Sequence, residues 1–223
     1  SISLGYAATS QVPSYTALNS SATSGLFRGN ANLGREKSRN LDLSIEGDFA
    51  GWRTVLSGFH RWDDDLVDWT YKTGVTARSA NAVDIETSGI ELVARRDFEW
   101  GSLTLGYTFL TKDADYGSTA VDASFYALNF AHHRLTAAFT VRVSPELELR
   151  LDNEGRIQQQ NSLRTIGGDE ALLSSIAFVW RPKAWPRVEL SAEVDNIWDS
   201  EYQDVPAVPA SRRQAAISVA YGW

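Results

Sequence analysis

Apolar side chains alternate with small or polar ones along most of this chain, and this period of two constrains the fold more than any other feature. In the C-terminal segment RRQAAISVAYGW, Ile217, Val219 and Tyr221 fall on one parity, and Ser218 and Ala220 fall on the other. Successive side chains of a β-strand point to opposite faces, so the segment predicts a strand with one apolar face and one small or polar face. The alternation leaves open which face contacts water.

The same alternation predicts ten strands, and no segment shows a convincing helical period. The predicted strands are residues 2–8, 41–46, 52–62, 90–95, 102–109, 134–143, 147–152, 172–181, 187–195 and 214–223.

The connections between these predicted strands alternate between long and short. The long connections are predicted at 10–36, 63–80, 112–124, 159–170 and 200–210, and the short ones near 47–51, 96–101, 143–146 and 182–186, with Gly47-Asp48 as one predicted turn. This alternation is typical of an up-and-down outer-membrane barrel, which has short turns at one end and long loops at the other. A Greek-key sandwich has no reason to keep it.

The two faces of the predicted strands differ in composition. One face carries charged residues together with many Ser, Thr and Gly, and the other is nearly continuous Leu, Ile, Val, Phe and Ala. Aromatic residues stand near the strand ends of the apolar face, at Trp52, Trp180, Tyr221 and Trp223. Aromatic girdles at the ends of an apolar band are typical of membrane barrels. We therefore expect an all-β fold, an antiparallel up-and-down transmembrane β-barrel.

Composition excludes several other classes of protein. The net charge of −7 argues against nucleic acid as a partner. The chain contains no cysteine, so it has neither a disulfide framework nor a thiolate metal site. No long apolar run is present, which excludes a helical membrane span, whereas a mean hydropathy of −0.27 is compatible with alternating barrel strands.

Three segments resemble strand motifs of TonB-dependent outer-membrane receptors, in the order of that family. They are ANLGREKSRNLDLSIEG, TSGIELVAR and VDNIWDSEYQDVPAVPASRRQAAISVAYGW. The barrel of that family has 22 strands, so the resemblance implies that residues 1–223 are the C-terminal part of the barrel domain, roughly its last ten strands. It further implies a place in the bacterial cell outer membrane. The implied function is energy-coupled uptake of a scarce nutrient of the siderophore, cobalamin or oligosaccharide class, without enzymatic activity.

The resemblance also implies partners. Nothing in the chain resembles the family's plug or its TonB-contacting box, so the missing N-terminal strands and the plug are expected partners, and the TonB complex would act through the plug. Outer-membrane lipid would surround the barrel, and a small-molecule substrate would enter it. The barrel-assembly machinery would read an assembly signal formed by Val219, Tyr221 and Trp223. No cofactor is expected.

Aromatic residues in the predicted long loops are candidates for a ligand-capturing surface. The candidates are Trp62, Trp69, Tyr71, Tyr116 and Tyr202, with Tyr15 and Phe27 as further members of the group. The alternative is that these rings hold the loops together or lie at the outer membrane interface. Sequence alone does not separate the two roles.

Two other clusters contain residue types that occur at metal or catalytic sites. Asp63, Asp64, Asp65 and Asp68 lie close together, but they lack the ligand spacing of a calcium loop, so a solvated acidic loop is the expectation and no metal site is predicted. His132 and His133 are adjacent and therefore point to opposite faces of a strand, and neither a nucleophile nor a carboxylate pair accompanies them. No catalytic residue is predicted.

Two rival hypotheses remain open at this point. The first is a self-contained ten-stranded porin or barrel enzyme, which requires that the first and last strands pair and close a ring. The second is a soluble β-sandwich binding module, which requires that the apolar faces are buried against each other.

Overall fold

The computed structural model describes residues 1–21, 23, 25–206 and 208–222. Most of these residues belong to β-strands, as the alternation predicts. The elements, in chain order, are β1 Ile2–Gln11, α1 Tyr15–Asn19, β2 Phe27–Arg28, β3 Glu36–Phe49, β4 Trp52–Tyr71, β5 Arg78–Phe98, β6 Gly101–Asp115, β7 Ala123–Ser124, β8 Ala131–Arg142, β9 Leu147–Gln158, β10 Glu170–Trp180, β11 Val188–Asp195, β12 Gln203–Val205, β13 Val208–Pro209 and β14 Gln214–Tyr221.

Ten of these strands form one antiparallel meander, which confirms the predicted fold class. Their spatial order is β1-β3-β4-β5-β6-β8-β9-β10-β11-β14, so each long strand lies beside the next one in the chain. The other strands, β2, β7, β12 and β13, are two or three residues long and lie within the long connections. The predicted alternation of long and short connections holds except at the connection between β4 and β5, which spans only residues 72–77.

The sheet is open, as expected for part of a barrel. In the described chain β1 pairs with β3, and β14 pairs with β11, but β1 and β14 do not pair with each other. The hypothesis of a self-contained ten-stranded ring is therefore wrong. Each edge strand leaves one row of backbone N–H and C=O groups without a ladder partner in this sheet.

The apolar face of the sheet is exposed, which excludes the soluble sandwich. Leu4 is 72% exposed, Leu135 58% and Ile217 84%. The strand register places these apolar residues in continuous rows: Leu4 faces Leu43, Leu92 faces Tyr107, and Leu190 faces Val219. A soluble protein rarely exposes so extended an apolar surface. The arrangement fits a sheet that turns this face toward lipid.

The opposite face carries many charged side chains, and several of them form ion pairs. Arg134 binds Glu154 at 2.6 Å, and Arg150 binds Glu148 at 2.7 Å. Ser44 and Ser57 share a hydrogen bond of 2.8 Å across β3 and β4. This face has the composition of a water-filled barrel interior.

The β3–β4 turn lies three residues beyond the predicted Gly47-Asp48 turn, so that prediction was wrong. Gly47 and Asp48 pair with β4, and the turn residues are Ala50 and Gly51, with φ values of 48° and 81°. Positive φ at both central residues is the type I′ geometry that matches the twist of a two-residue hairpin. Glycine and aspartate are typical turn residues, whereas alanine is unusual in a turn with positive φ. The sequence therefore favoured Gly47-Asp48 over Ala50-Gly51 as the turn.

Most of the long loop predicted at 63–80 is strand, which corrects a second prediction. β4 continues to Tyr71, and β5 begins at Arg78. Between Asp63 and Leu66, β4 advances three residues while β5 advances two, so the strand contains a β-bulge, and Asp65 there has a φ of 56°. The extra residue of a bulge moves the side chains that follow it to the other parity. The alternation of apolar and polar residues is therefore interrupted in the sequence, although the strand continues.

The prediction that the chain contains no helix was also wrong at one place. Residues Tyr15–Asn19 form a single helical turn in the connection between β1 and β3. The Ser14 side chain accepts a hydrogen bond from the Ala17 amide at 3.1 Å and caps this turn. So short a helix is determined by its cap and leaves no periodic signal. In the described chain no helix has the length and apolar character to cross a membrane.

Candidate functional site

The long loops assemble on the end of the β4–β5 hairpin that extends past its neighbours. There β7 pairs with β4 through Thr70 and Tyr71, and β2 pairs with β5 through Arg78 and Ser79. Neither β3 nor β6 reaches this part of the hairpin, so both of its outer edges are free to accept strands from the loops. We call the hairpin end with β2 and β7 the loop platform.

A buried carboxylate fixes the loop between β6 and β8 to the platform. Asp68 accepts hydrogen bonds from the Tyr116 hydroxyl at 2.8 Å and from the amides of Tyr126 and Ala127 at 3.0 and 2.8 Å. Burial raises the pKa of Tyr116, and the Asp68 charge raises it further, so the phenol stays protonated and donates. Tyr116 therefore holds the loop in place in this structure.

The predicted ligand residues separate into an outer-face group and a platform group. Trp62 lies in β4 on the parity of Leu56, with its ring 4.1 Å from that of His60, so it lies on the apolar face of the sheet. Trp69 belongs to the platform and packs edge-to-face on Phe27 at 5.0 Å. A role of either ring in ligand binding remains a prediction.

Tyr71 lines a cavity with a volume of about 670 Å³. Small-molecule sites typically have volumes of about 300–1,000 Å³. Four segments form its walls: Leu26, the hairpin tip from Tyr71 to Arg78, the β9–β10 loop with Leu163, and Pro206. The Arg78 guanidinium lies 5.9 Å from the centre of the Tyr71 ring and 5.1 Å from that of Phe125. Sequence analysis missed Arg78, because no local pattern marks it.

A buried arginine joins the β9–β10 loop to the segment after β11. The Arg164 side chain is fully buried and pairs with Asp169. It also donates to the carbonyls of Gln203 and Gln159 at 3.0 and 2.9 Å and to Asn129 Oδ1 at 2.9 Å. One guanidinium thereby connects three separate segments of the chain, because its planar fork carries five donors.

Tyr202, the last predicted ligand residue, lies next to this junction. The Arg156 guanidinium lies 5.6 Å from the centre of the Tyr202 ring and pairs with Glu154 and Asp204. Tyr202 is half-buried and lies outside the walls of the platform cavity. Its role as a ligand residue remains a prediction.

The start of the segment that resembles the family's C-terminal motif forms a turn, which side-chain hydrogen bonds of Asn196 and Asp199 stabilise. Asn196 and Asp199 both have positive φ, 48° and 54°, and the Asn196 side chain bonds Ser200 and the Ser211 carbonyl. Asp199 accepts from Arg212 at 2.7 and 3.0 Å and from the Arg213 amide at 3.0 Å. These bonds hold the pKa of the Asp199 carboxyl well below its usual range and fix the residues that lead into β14.

The hydrogen bonds to the Asp199 carboxylate predict a contribution to the stability of the folded state that is lost in acid. Because folding lowers the pKa of Asp199, its carboxylate stabilises the folded state above about pH 4, the usual carboxyl pKa, and that contribution is lost as the pH falls below it. We expect the free energy of unfolding to fall more between pH 5 and pH 3 in the natural protein than in the Asp199→Asn variant. Urea unfolding followed by tryptophan fluorescence measures the difference.

The matched control for this prediction is Glu170→Gln. Glu170 is exposed, and among the described residues it forms no ion pair. This variant should keep the pH dependence of the natural protein. An Asp199→Asn variant with that same pH dependence would contradict the prediction.

The residues of the predicted assembly signal lie on β14, except for the last. Val219 faces Leu190, Tyr221 faces Val188, and both side chains are exposed on the apolar face. Trp223 lies outside the described residues. The signalling role remains a prediction.

The two other clusters have structural partners. Asp63 pairs with Arg61, and Asp64 with Arg39, while Asp68 holds the loop described above. His132 contacts the Leu110 carbonyl and Gln159, and His133 contacts the Tyr107 hydroxyl at 2.9 Å. In the described part of the chain, no three His, Asp or Glu side chains are grouped so that they could hold a metal ion.

Comparison with protein families gives one match that covers most of the chain. The family model described as TonB dependent receptor-like, beta-barrel matches residues 1–197. No curated protein sequence matches the chain.

Several solved structures are similar in fold. The FrpB iron transporter from Neisseria meningitidis (F3-3 variant) has a TM-score of 0.68 at 17% identity, and the copper transporter OprC has 0.68 at 16%. The siderophore receptor PirA from Pseudomonas aeruginosa has 0.62 at 16%. Each comparison covers 99% of this chain and 36% of the other, so the chain spans little more than a third of the length of these proteins.

Proposed function

The chain belongs to the β-barrel family of TonB-dependent receptors, and we propose that it forms wall and outer loops of a bacterial outer-membrane receptor for energy-coupled uptake of a scarce nutrient. The observation that carries this proposal is the open meander with one exposed apolar face, one charged face and all long loops at one end. A wall of this kind separates lipid from a water-filled interior and displays loops to the outside.

The two open edges support a larger barrel. An unpaired backbone group in hydrocarbon costs several kcal/mol, so neither edge strand is viable against lipid. We infer that further strands of the same receptor pair with β1 and with β14 and complete a barrel of about 22 strands. In this proposal residues 1–223 are the C-terminal part of the barrel domain, a plug fills the interior, the TonB complex acts through that plug, and the barrel-assembly machinery inserts the protein.

The substrate proposed for this receptor is a small molecule of the siderophore, cobalamin or oligosaccharide class. Support comes from the platform cavity, whose volume of about 670 Å³ suits a compact organic ligand. The names of the similar structures, an iron transporter, a copper transporter and a siderophore receptor, agree with uptake of scarce nutrients by the family.

An uptake assay tests the proposed function. Cells with and without the gene are given labelled iron chelates, copper, cobalamin or oligosaccharides, before and after collapse of the proton-motive force. We expect one of these substrates to accumulate in a manner that depends on both the gene and the proton-motive force. Gene-dependent uptake that survives collapse of the force would indicate a passive pore and contradict the proposal.

The proposed orientation predicts which residues are accessible from outside the cell. Because all long loops lie at one end of the meander, cysteines placed at Thr73 and Ser118 should react with a membrane-impermeant maleimide on intact cells. Cysteines at Ser144 and Lys183, in the short connections, should react after the outer membrane is permeabilised. All four positions are exposed, and the chain has no cysteine of its own, so labelling reports membrane side. The opposite pattern would reverse the topology.

A further inference from the structure

We propose that the platform cavity binds an organic anion with an aromatic or similarly flat apolar body, and that Arg78 holds its charged group. This inference rests on the proposed function in one respect, namely that the ligand arrives from outside the cell. The binding site itself follows from the residues around the cavity.

Arg78 supplies a cation whose charge is not neutralised by the protein. Its guanidinium lies over the rings of Tyr71 and Phe125, 5.9 and 5.1 Å from their centres, and among the described residues no carboxylate lies within 4 Å of it. The backbone of Arg78 is held in place, because its amide donates to the Leu26 carbonyl at 2.7 Å in the pairing of β2 with β5. The N–H donors of a guanidinium lie in its plane and match a planar anion such as a carboxylate, and Arg78 lines the cavity where such an anion would lie.

The remaining walls favour an apolar body rather than a polar one. Leu26, Val75, Leu163 and Pro206 line the cavity together with the Tyr71 ring, and none of the described lining residues is acidic. Inorganic phosphate has no apolar part that could contact these walls. A sugar needs more hydrogen-bonding partners than one guanidinium and the nearby threonines supply. A ligand that combines one anionic group with an apolar ring system uses both features.

The test compares a charged and a neutral probe of nearly equal shape. 2-Naphthoate and 2-naphthamide are titrated against the complete gene product in lipid nanodiscs, and Kd is measured by saturation-transfer NMR with empty nanodiscs as background. We expect naphthoate to bind at least tenfold tighter than naphthamide. Arg78→Gln should raise the Kd of naphthoate at least tenfold and leave that of naphthamide within twofold.

Two further variants separate the site from general effects of charge and folding. Lys72→Gln removes a neighbouring exposed cation that does not line the cavity, and it should leave both Kd values unchanged. Leu163→Asp places a carboxylate in the cavity wall and should weaken naphthoate binding while Arg78 is kept. Equal affinity of the natural protein for the two probes, or naphthoate binding unaffected by both Arg78→Gln and Leu163→Asp, would overturn the proposal. The uptake assay is independent of these probes, so failure here leaves the proposed function standing.

Discussion

Arginine in place of Leu105 will destabilise the complete gene product in lipid bilayers by about 2–4 kcal/mol, the cost of a charge on the lipid face near mid-membrane. Leu105 is exposed on the apolar face and lies opposite Ala137 of β8, away from the turns at the short-loop end. Phe139→Arg should have a comparable effect. Leu149→Arg should cost less, because Leu149 lies two residues from the start of β9 and thus nearer the interface.

The matched controls lie one residue away on the charged face. Thr104→Arg and Ala138→Arg introduce the same side chain at positions that pair with each other across β6 and β8. Because that face is wet, each control should change the free energy of unfolding by less than about 1 kcal/mol. Equal destabilisation by both sets in urea unfolding from vesicles would mean that the faces are assigned wrongly.

Replacing Arg164 by alanine should release the loops it joins. The variant leaves Asp169, Asn129 and two carbonyls without their buried donor, and removing one partner of a buried ion pair typically costs about 3–5 kcal/mol. Amide hydrogen exchange should accelerate by a hundredfold or more in residues 159–169 and 200–206. The meander strands should keep their protection, because the lost bonds lie outside the sheet.

Arg28→Ala is the control for this second prediction. Arg28 is exposed, and among the described residues it has no ion-pair partner. It should leave exchange in both loops unchanged. Slow exchange at 159–169 in the Arg164→Ala variant would contradict the assignment of Arg164 as the junction between the loops.

The strands could be predicted because their signal is local and physical. A wall between lipid and water needs one apolar and one polar face, so the chain must alternate, and β8, β11 and β14 were predicted close to their observed bounds. The prediction failed where this rule is interrupted. The bulge after Asp63 shifts the phase of the alternation, and it concealed the extension of β4 to Tyr71.

The site could be predicted only in part, because its contacts join distant segments. The aromatic composition of the loops pointed to Tyr71, which lines the platform cavity, and to Trp62, which lies on the apolar face instead. Arg78 and Arg164 left no signal in the sequence. Their roles depend on rings and carbonyls contributed by other loops, and the pairing of β2 and β7 with the hairpin edges brings these loops together.

The central claim is that the exposed apolar face contacts lipid while the charged face contacts water, and a spin-label scan along β8 tests it most directly. Single cysteines at residues 134–141 of the complete gene product, which is free of native cysteine over these 223 residues, are labelled in lipid bilayers. Accessibility to oxygen should peak at Leu135, Ala137 and Phe139, and accessibility to a water-soluble nickel complex should peak between them. In-phase peaks for the two reagents, or nickel accessibility highest at Leu135 and Phe139, would contradict the account.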